Sequence, residues 1–207
     1  MTILSDIDGV IKHYDKLIDE NNDSVHDPEP LRDYMNKWDG PAFIEQMQLN
    51  RSKSVLEIGV GTGRLAIRVA PLCGEFCGID ISPKTVDRAK ENLADYSNVK
   101  LICAEFLSYE FADTFDLVYS SLTFMHIADK QKAIEKIAGL LNDEGRFVLS
   151  IDKNPSEFIN TGTRKVKIYP DNADVTAKHI ETAGLTIINQ FDTEFAAIFV
   201  AKNIERK

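Results

Sequence analysis

The chain reads as a doubly wound α/β fold: a mainly parallel seven-stranded sheet, helices on both faces, and one antiparallel strand in a C-terminal hairpin. Three observations predict it. Residues Val55 to Gly63 run Val-Leu-Glu-Ile-Gly-Val-Gly-Thr-Gly, an apolar strand entering a glycine-rich turn that opens a helix. Short apolar strands then alternate with helical stretches, the pattern of repeated βα units. Last, the strands Leu185 to Asp192 and Phe195 to Ala201 are joined by Thr193-Glu194, a link short enough to allow only an antiparallel pair. At 207 residues the chain can bury a full core.

The elements follow in order. Ile11 to Asp19 reads as a helix, and Asn21 to His26 as a polar break. Asp27-Pro28 supplies N-cap and N1 for a second helix toward Trp38. Pro41 to Leu49 is a third short helix. Residues 1–50 are thus expected to form a helical cap or lid, and residues 51–207 the main domain. Val55 to Ile58 is the first strand of the sheet, with a helix from Arg64. Phe76-Cys77-Gly78-Ile79 is the second strand, ending at Asp80. Ser82 and Pro83 then start a helix running from Lys84 to Leu93. Val99 to Cys103 and Phe115 to Ser120 are further strands. Asp129 to Leu141 is a helix with Ala133, Ile134, Ile137, Ala138 and Leu141 on one face. Asn142 to Gly145 is a turn before the strand Arg146 to Ile151. Asp152 to Asn172 is an insertion, and Asp171 to Ala183 a last helix with Gly184 at C′.

The glycine turn carries the chemistry. Gly59, Gly61 and Gly63 let a ligand approach bare backbone and expose N–H groups to polar atoms. A dinucleotide-binding turn reads G-x-G-x-x-G. Here the spacing is G-x-G-x-G, with Glu57 inside the preceding strand. One βα unit later, Asp80 ends a strand where an acidic side chain can accept both hydroxyls of a ribose. These residues resemble motif I and the acidic ribose position of the class I S-adenosylmethionine-dependent methyltransferases. The resemblance covers roughly residues 50 to 202. It implies a Rossmann-like fold, a methyl-transferring enzyme and S-adenosylmethionine as cofactor. It also implies roles: Glu57, Gly59, Gly61 and Gly63 at the turn, Asp80 and Ile81 at the ribose, Ala104-Glu105-Phe106 at the adenine, and Ser120 and Ser121 at the methionine part. There are two departures from the pattern. Glu57 replaces the commoner Asp, and Val60 stands where a small residue is usual, crowding the turn.

In such enzymes N-terminal helices fold over the cofactor. On that resemblance Tyr14, Tyr34 and Trp38 are candidates to close the site, and Tyr14 and Trp38 are taken as cofactor contacts, since aromatic faces suit a cationic sulfonium. The loops Ser120 to Ala128 and Asp152 to Pro170 lie beyond the carboxyl ends of the strands and are expected to form a pocket for a small-molecule acceptor. His126 is the candidate general base, the alternative being a packing or capping histidine. His13, His26 and His179 read as solvated.

A net charge of −9 opposes a polyanionic partner, because nucleic-acid enzymes need a basic footprint. The densest basic run, Arg164-Lys165-Val166-Lys167, reads as a solvated strand edge or a contact to an anionic substrate. No stretch approaches the length of a transmembrane helix. Met1 to Asp8 has two Asp and no basic start, so no signal peptide is expected, and the cytoplasm is the expected compartment. Cys73, Cys77 and Cys103 read as buried free thiols; no metal site is expected. Two other readings stay open. One is a nicotinamide-dependent oxidoreductase, which the glycine spacing and closing hairpin oppose. The other is a non-catalytic S-adenosylmethionine-binding protein.

Overall fold

The structure, a computed structural model, describes residues 2–4, 7–160 and 164–204. In chain order the elements are β1 (Thr2–Leu4), α1 (Ile7–Asp19), α2 (Glu29–Met35), α3 (Gly40–Glu45), β2 (Ser54–Ile58), α4 (Ala66–Val69), β3 (Glu75–Asp80), α5 (Pro83–Asn92), β4 (Val99–Cys103), β5 (Phe115–Ser121), α6 (Lys130–Leu140), β6 (Leu141–Asp152), β7 (Phe158–Asn160), β8 (Arg164–Lys167), α7 (Ala173–Thr182), β9 (Thr186–Asp192) and β10 (Ala196–Lys202). Two short 3₁₀ turns, Ala70–Leu72 and Phe124–His126, complete the list.

The large sheet has seven strands in the order β4-β3-β2-β5-β6-β10-β9. The neighbours from β4 to β6 pair in parallel, while β10 runs antiparallel to both β6 and β9. The expected sheet, its closing hairpin and its single antiparallel strand are all present. Strand alternation builds the core on both faces. Leu56, Val118, Phe147, Leu149 and Phe199 enter one apolar cluster. Their chain neighbours Val55, Leu117, Val148, Ile198 and Val200 enter the other. All ten are fully buried, so truncating any of them to Ala would cost roughly 2–5 kcal/mol.

The helix starts follow from their caps. The Ser82 side chain accepts from Thr85 N at 3.2 Å, with Pro83 opening α5. Asp129 accepts from Lys132 N at 3.0 Å and Asn172 from Val175 N at 3.0 Å. Gly184 has φ +87°, as its place after α7 requires.

Several local expectations are corrected. The helix expected from Arg64 is only α4 and the 3₁₀ turn after it, because Pro71 cannot continue the α-helical ladder. Residues Asn142 to Gly145 are a bulge inside β6 rather than a separate turn: Phe115 pairs with Leu141 but Leu117 already pairs with Arg146, and Glu144 sits at φ +58°. The insertion after β6 holds β7 and β8, which join β1 in a small second sheet of order β1-β8-β7. Cys103 is exposed rather than buried, because β4 is an edge strand; Cys73 and Cys77 are buried. His13 is also corrected. It is only 3% exposed, because α1 starts at Ile7 and packs against β1 and β8. Among the described residues no helix is long and apolar enough to cross a membrane.

Candidate active site

Beyond the carboxyl ends of β2, β3 and β5 lies a cavity of about 1030 Å³. Its floor is the turn after β2, and its roof is α1 with the loop that follows. Gly61 has φ +57°, and a Cβ built there would meet nothing within 4 Å, so this turn offers open backbone to the cavity. Gly59 is required for another reason: at φ +79° its Cβ would lie 1.9 Å from the Thr123 Oγ1 of a crossing loop. The bulk of Val60 is absorbed by Gly78 on β3, where an added Cβ would be 2.8 Å from a Val60 methyl.

The acidic groups sit where two strands end. Asp80 accepts from Gly61 N at 3.0 Å and from Ser82 N at 3.0 Å, which holds its carboxylate beside the turn. Burial raises its pKa, against the pull of these N–H donors. Glu57 is 3% exposed and accepts from the Tyr119 hydroxyl at 2.7 Å. Burial pushes its carboxyl up to about 8, the Tyr119 hydrogen bond and the Arg64 charge opposing. Asp39, the N-cap of α3, is fully buried. It takes both guanidinium nitrogens of Arg64, at 3.0 and 2.5 Å, and the Ser121 hydroxyl at 2.6 Å. Burial works against the Arg64 charge, but the Asp39 bond and charge win and raise its pKa.

Opposite the glycine turn, the Tyr14 hydroxyl and His126 Nε2 are 2.8 Å apart, their rings nearly perpendicular with centroids 5.4 Å apart. Tyr14 comes from α1 and His126 from the 3₁₀ turn after β5. Burial pushes the His126 imidazole down to about 4, helped by the nearby His13 and Lys130 charges. It is therefore neutral at pH 7. Burial and the Asp80 charge raise the Tyr14 phenol, which keeps its proton. Lys130 pins the His126 turn to the insertion: its Nζ donates to Phe124 O at 2.8 Å and Tyr169 O at 2.9 Å, and pairs with Asp171 at 2.6 Å.

Of the residues singled out from sequence, Glu57, Gly59, Gly61, Asp80, Ile81, Ala104, Glu105, Phe106, Ser121, Tyr14 and His126 all line this one cavity. Glu105 lines it with its carboxylate already engaged, accepting from Leu107 N at 2.9 Å and Ser108 N at 2.7 Å. Gly63 stands behind the wall, at φ +101° and against Leu93, and shapes the turn. Ser120 is fully buried, its hydroxyl donating to Ile58 O at 2.8 Å. Trp38 and Tyr34 are corrected: neither lines the cavity. They pack on each other and on Phe195 of the hairpin, with centroids 4.7 to 5.8 Å apart. The backbone holds them there, since Trp38 O accepts from Ser150 Oγ at 2.7 Å and Lys37 O from Phe195 N at 3.1 Å. Sequence reading missed Arg64, Asp39, Thr123 and Lys130. Only Arg64, a charge opening an otherwise apolar stretch, left a local signal.

A family model described as a methyltransferase domain matches residues 49–195. Among curated proteins, the malonyl-[acyl-carrier protein] O-methyltransferase of Anoxybacillus flavithermus is 31% identical over 100 residues, 47% of this chain and 38% of that one. Phosphoethanolamine N-methyltransferase 1 of Arabidopsis thaliana is 28% identical over 141 residues, 66% of this chain and 28% of that one. This chain thus spans well under half the length of these relatives. Among solved structures, the [4+2]-cyclase SpnF superimposes with TM-score 0.77 at 16% identity, covering both chains fully, 100% of each. The N-methyltransferase NodS from Bradyrhizobium japonicum WM9, in complex with S-adenosyl-L-homocysteine, does so with TM-score 0.71 at 18% identity, covering 94% of this chain and 98% of that one. These likenesses show the fold, and the family match reaches from just before β2 into the closing hairpin. The chain belongs to the methyltransferase-domain family, the class I enzymes whose cofactor is S-adenosylmethionine.

Proposed function

We propose that this protein transfers a methyl group from S-adenosylmethionine to a small-molecule acceptor bound under α1. The observation that carries the reading is the Tyr14–His126 pair, which faces the glycine turn across one cavity. Fold alone would not suffice, since the [4+2]-cyclase SpnF has the same fold. The residues fit the cofactor. The open backbone at Gly61 and the carboxylate of Asp80 would hold the ribose, with Ile81 beside it. Ala104, Glu105 and Phe106 would hold the adenine. Glu57, Ser121 and the Asp39-fixed Arg64 would hold the amino-acid end. The volume suits a cofactor with a small acceptor beside it, being at the top of the roughly 300–1,000 Å³ of ordinary ligand sites.

When bound, S-adenosylmethionine supplies an already activated sulfonium methyl, so the chain's own task is alignment and proton acceptance. Ile7, Val10 and Ile127 give the acceptor an apolar wall, with Lys167 and Tyr169 at its edge. On this reading the neutral His126 would take the acceptor's proton, with the Tyr14 hydroxyl bonded to its Nε2 and orienting the imidazole. The two relatives are named for unlike acceptors, a malonyl-[acyl-carrier protein] and phosphoethanolamine, so they do not choose one for this chain.

The test has two parts. Calorimetric titration with S-adenosylhomocysteine should give tight binding to the wild type, weakened by roughly 1.5–3 kcal/mol in Asp80→Ala. Turnover against a panel of small amines, phenols and carboxylic acids should fall on the order of 10²-fold in His126→Ala with cofactor affinity kept. Binding of NADH in place of S-adenosylhomocysteine would overturn the reading. Binding without turnover of any panel member would leave a non-catalytic binding protein.

A further inference from the structure

At the opposite edge of the sheet from the cofactor cavity, the amino ends of β2, β5 and β6 meet the last residue of β10. They enclose a second hollow of about 320 Å³, lined by Gln48, Lys53, Asp116, Glu144, Arg146 and Lys202 among others. Its most buried charge is a cation. Arg146 is only 7% exposed. One of its nitrogens donates to the Gln48 side-chain oxygen at 2.7 Å. Burial lowers its pKa.

Lys53 stands beside it and donates to the Gln48 carbonyl at 2.7 Å. Burial first, then the Arg146 and Lys202 charges, lower its pKa, with the Asp116 charge opposing them. The carboxylates of the hollow are engaged or open to water. Asp116 accepts from Ser54 N at 2.9 Å, Ser54 Oγ at 3.1 Å and Asn142 Nδ2 at 2.8 Å. Glu144 is bound by Lys202 at 3.0 Å with 64% of its side chain exposed, and Asp143 is exposed. A buried guanidinium held by one neutral oxygen is costly, and its planar fork matches an oxyanion. We propose that this hollow binds the phosphate group of a small metabolite, gripped by Arg146 and Lys53 with Lys202 at the rim. The hollow is larger than a phosphate, so the ligand has room for a short organic part. The proposal stands independently of the methyl-transfer reading.

Titration of the full chain with inorganic phosphate at constant ionic strength, sodium chloride balancing each addition, tests it. Saturable one-to-one binding is expected. It should weaken at least tenfold in Lys53→Met and in Arg146→Gln, and stay unchanged in Lys167→Met, which alters only the other cavity. Lys53 is half-exposed, so Lys53→Met gives a folded reference, checked by circular dichroism, if Arg146→Gln does not fold. Absence of saturable binding, or undiminished affinity in folded Lys53→Met, would overturn the proposal.

Discussion

Gly61 combines two properties that a side chain would spoil separately: a left-handed backbone and open space above its Cα. Gly61→Val should leave the fold intact, at a local strain of about 1–3 kcal/mol. Its isopropyl group would nevertheless stand in the cavity, so S-adenosylhomocysteine affinity should drop at least 10²-fold by calorimetry. Unchanged affinity would remove the cofactor from this turn. The turn was legible because its glycines encode backbone geometry directly, and Asp80 because its distance from the turn is set by one βα unit. The Arg64–Asp39 pair was not. Its partners lie 25 positions apart, joined by the path of α3 and not by any local pattern. Trp38 shows the opposite failure: an aromatic signals burial but not which side of the molecule it is buried on.

At the scale of elements, α1 is less a loose flap than a strapped beam. Asp15 accepts from Ser82 Oγ at 2.7 Å and Lys84 N at 3.2 Å, Asp19 pairs with Lys84 at 2.6 Å, and Asp23 pairs with Arg88 at 3.2 Å. Spaced four apart, these acids run down one helix face and past its end onto α5, while Glu20 pairs with Arg164 of β8 at 2.9 Å. Asp15 shares the Ser82 cap and is the half-buried strap within α1 itself, where Asp19 is exposed, so it should matter most to that helix. Asp15→Ala should speed amide exchange along α1 roughly 10-fold or more, leaving β2 unchanged, as loss of a charged hydrogen bond implies. Equal protection in both proteins would mean that the remaining ion pairs and the packing of α1 hold the helix without Asp15. The parallel strands of the large sheet were readable because buried strands are near-continuous apolar runs. The second sheet was not, since β1, β7 and β8 have three or four residues each and β8 is mostly Arg and Lys. No periodicity can emerge from so few positions.

Over the whole molecule, two buried groups tie stability to pH in opposite directions. His126 has its pKa depressed from 6.5 to about 4, so its contribution is present above 6.5 and is lost as pH falls toward 4. Glu57 has its pKa raised from 4.5 to about 8, so its contribution is present below 4.5 and is lost as pH rises through 8. Glu57→Gln keeps the shape without the titration. Its melting temperature relative to wild type should therefore climb steadily between pH 4.5 and 8, by an amount on the order of 4 kcal/mol in stability. A difference that does not change with pH would show that Glu57 is ionised throughout. The cavity itself carries a further consequence. Asp8, Asp23, Asp27, Asp80, Glu105 and Asp129 line it against Arg64 and Lys167, Glu57 being mostly neutral at pH 7. Such a lining draws in a ligand bearing a sulfonium cation. Once the methyl has left, that charge is gone and the same field has less to hold. On the proposed reading the cavity therefore favours the charged donor over its neutral product, a ranking that comparative titration with the two would read directly.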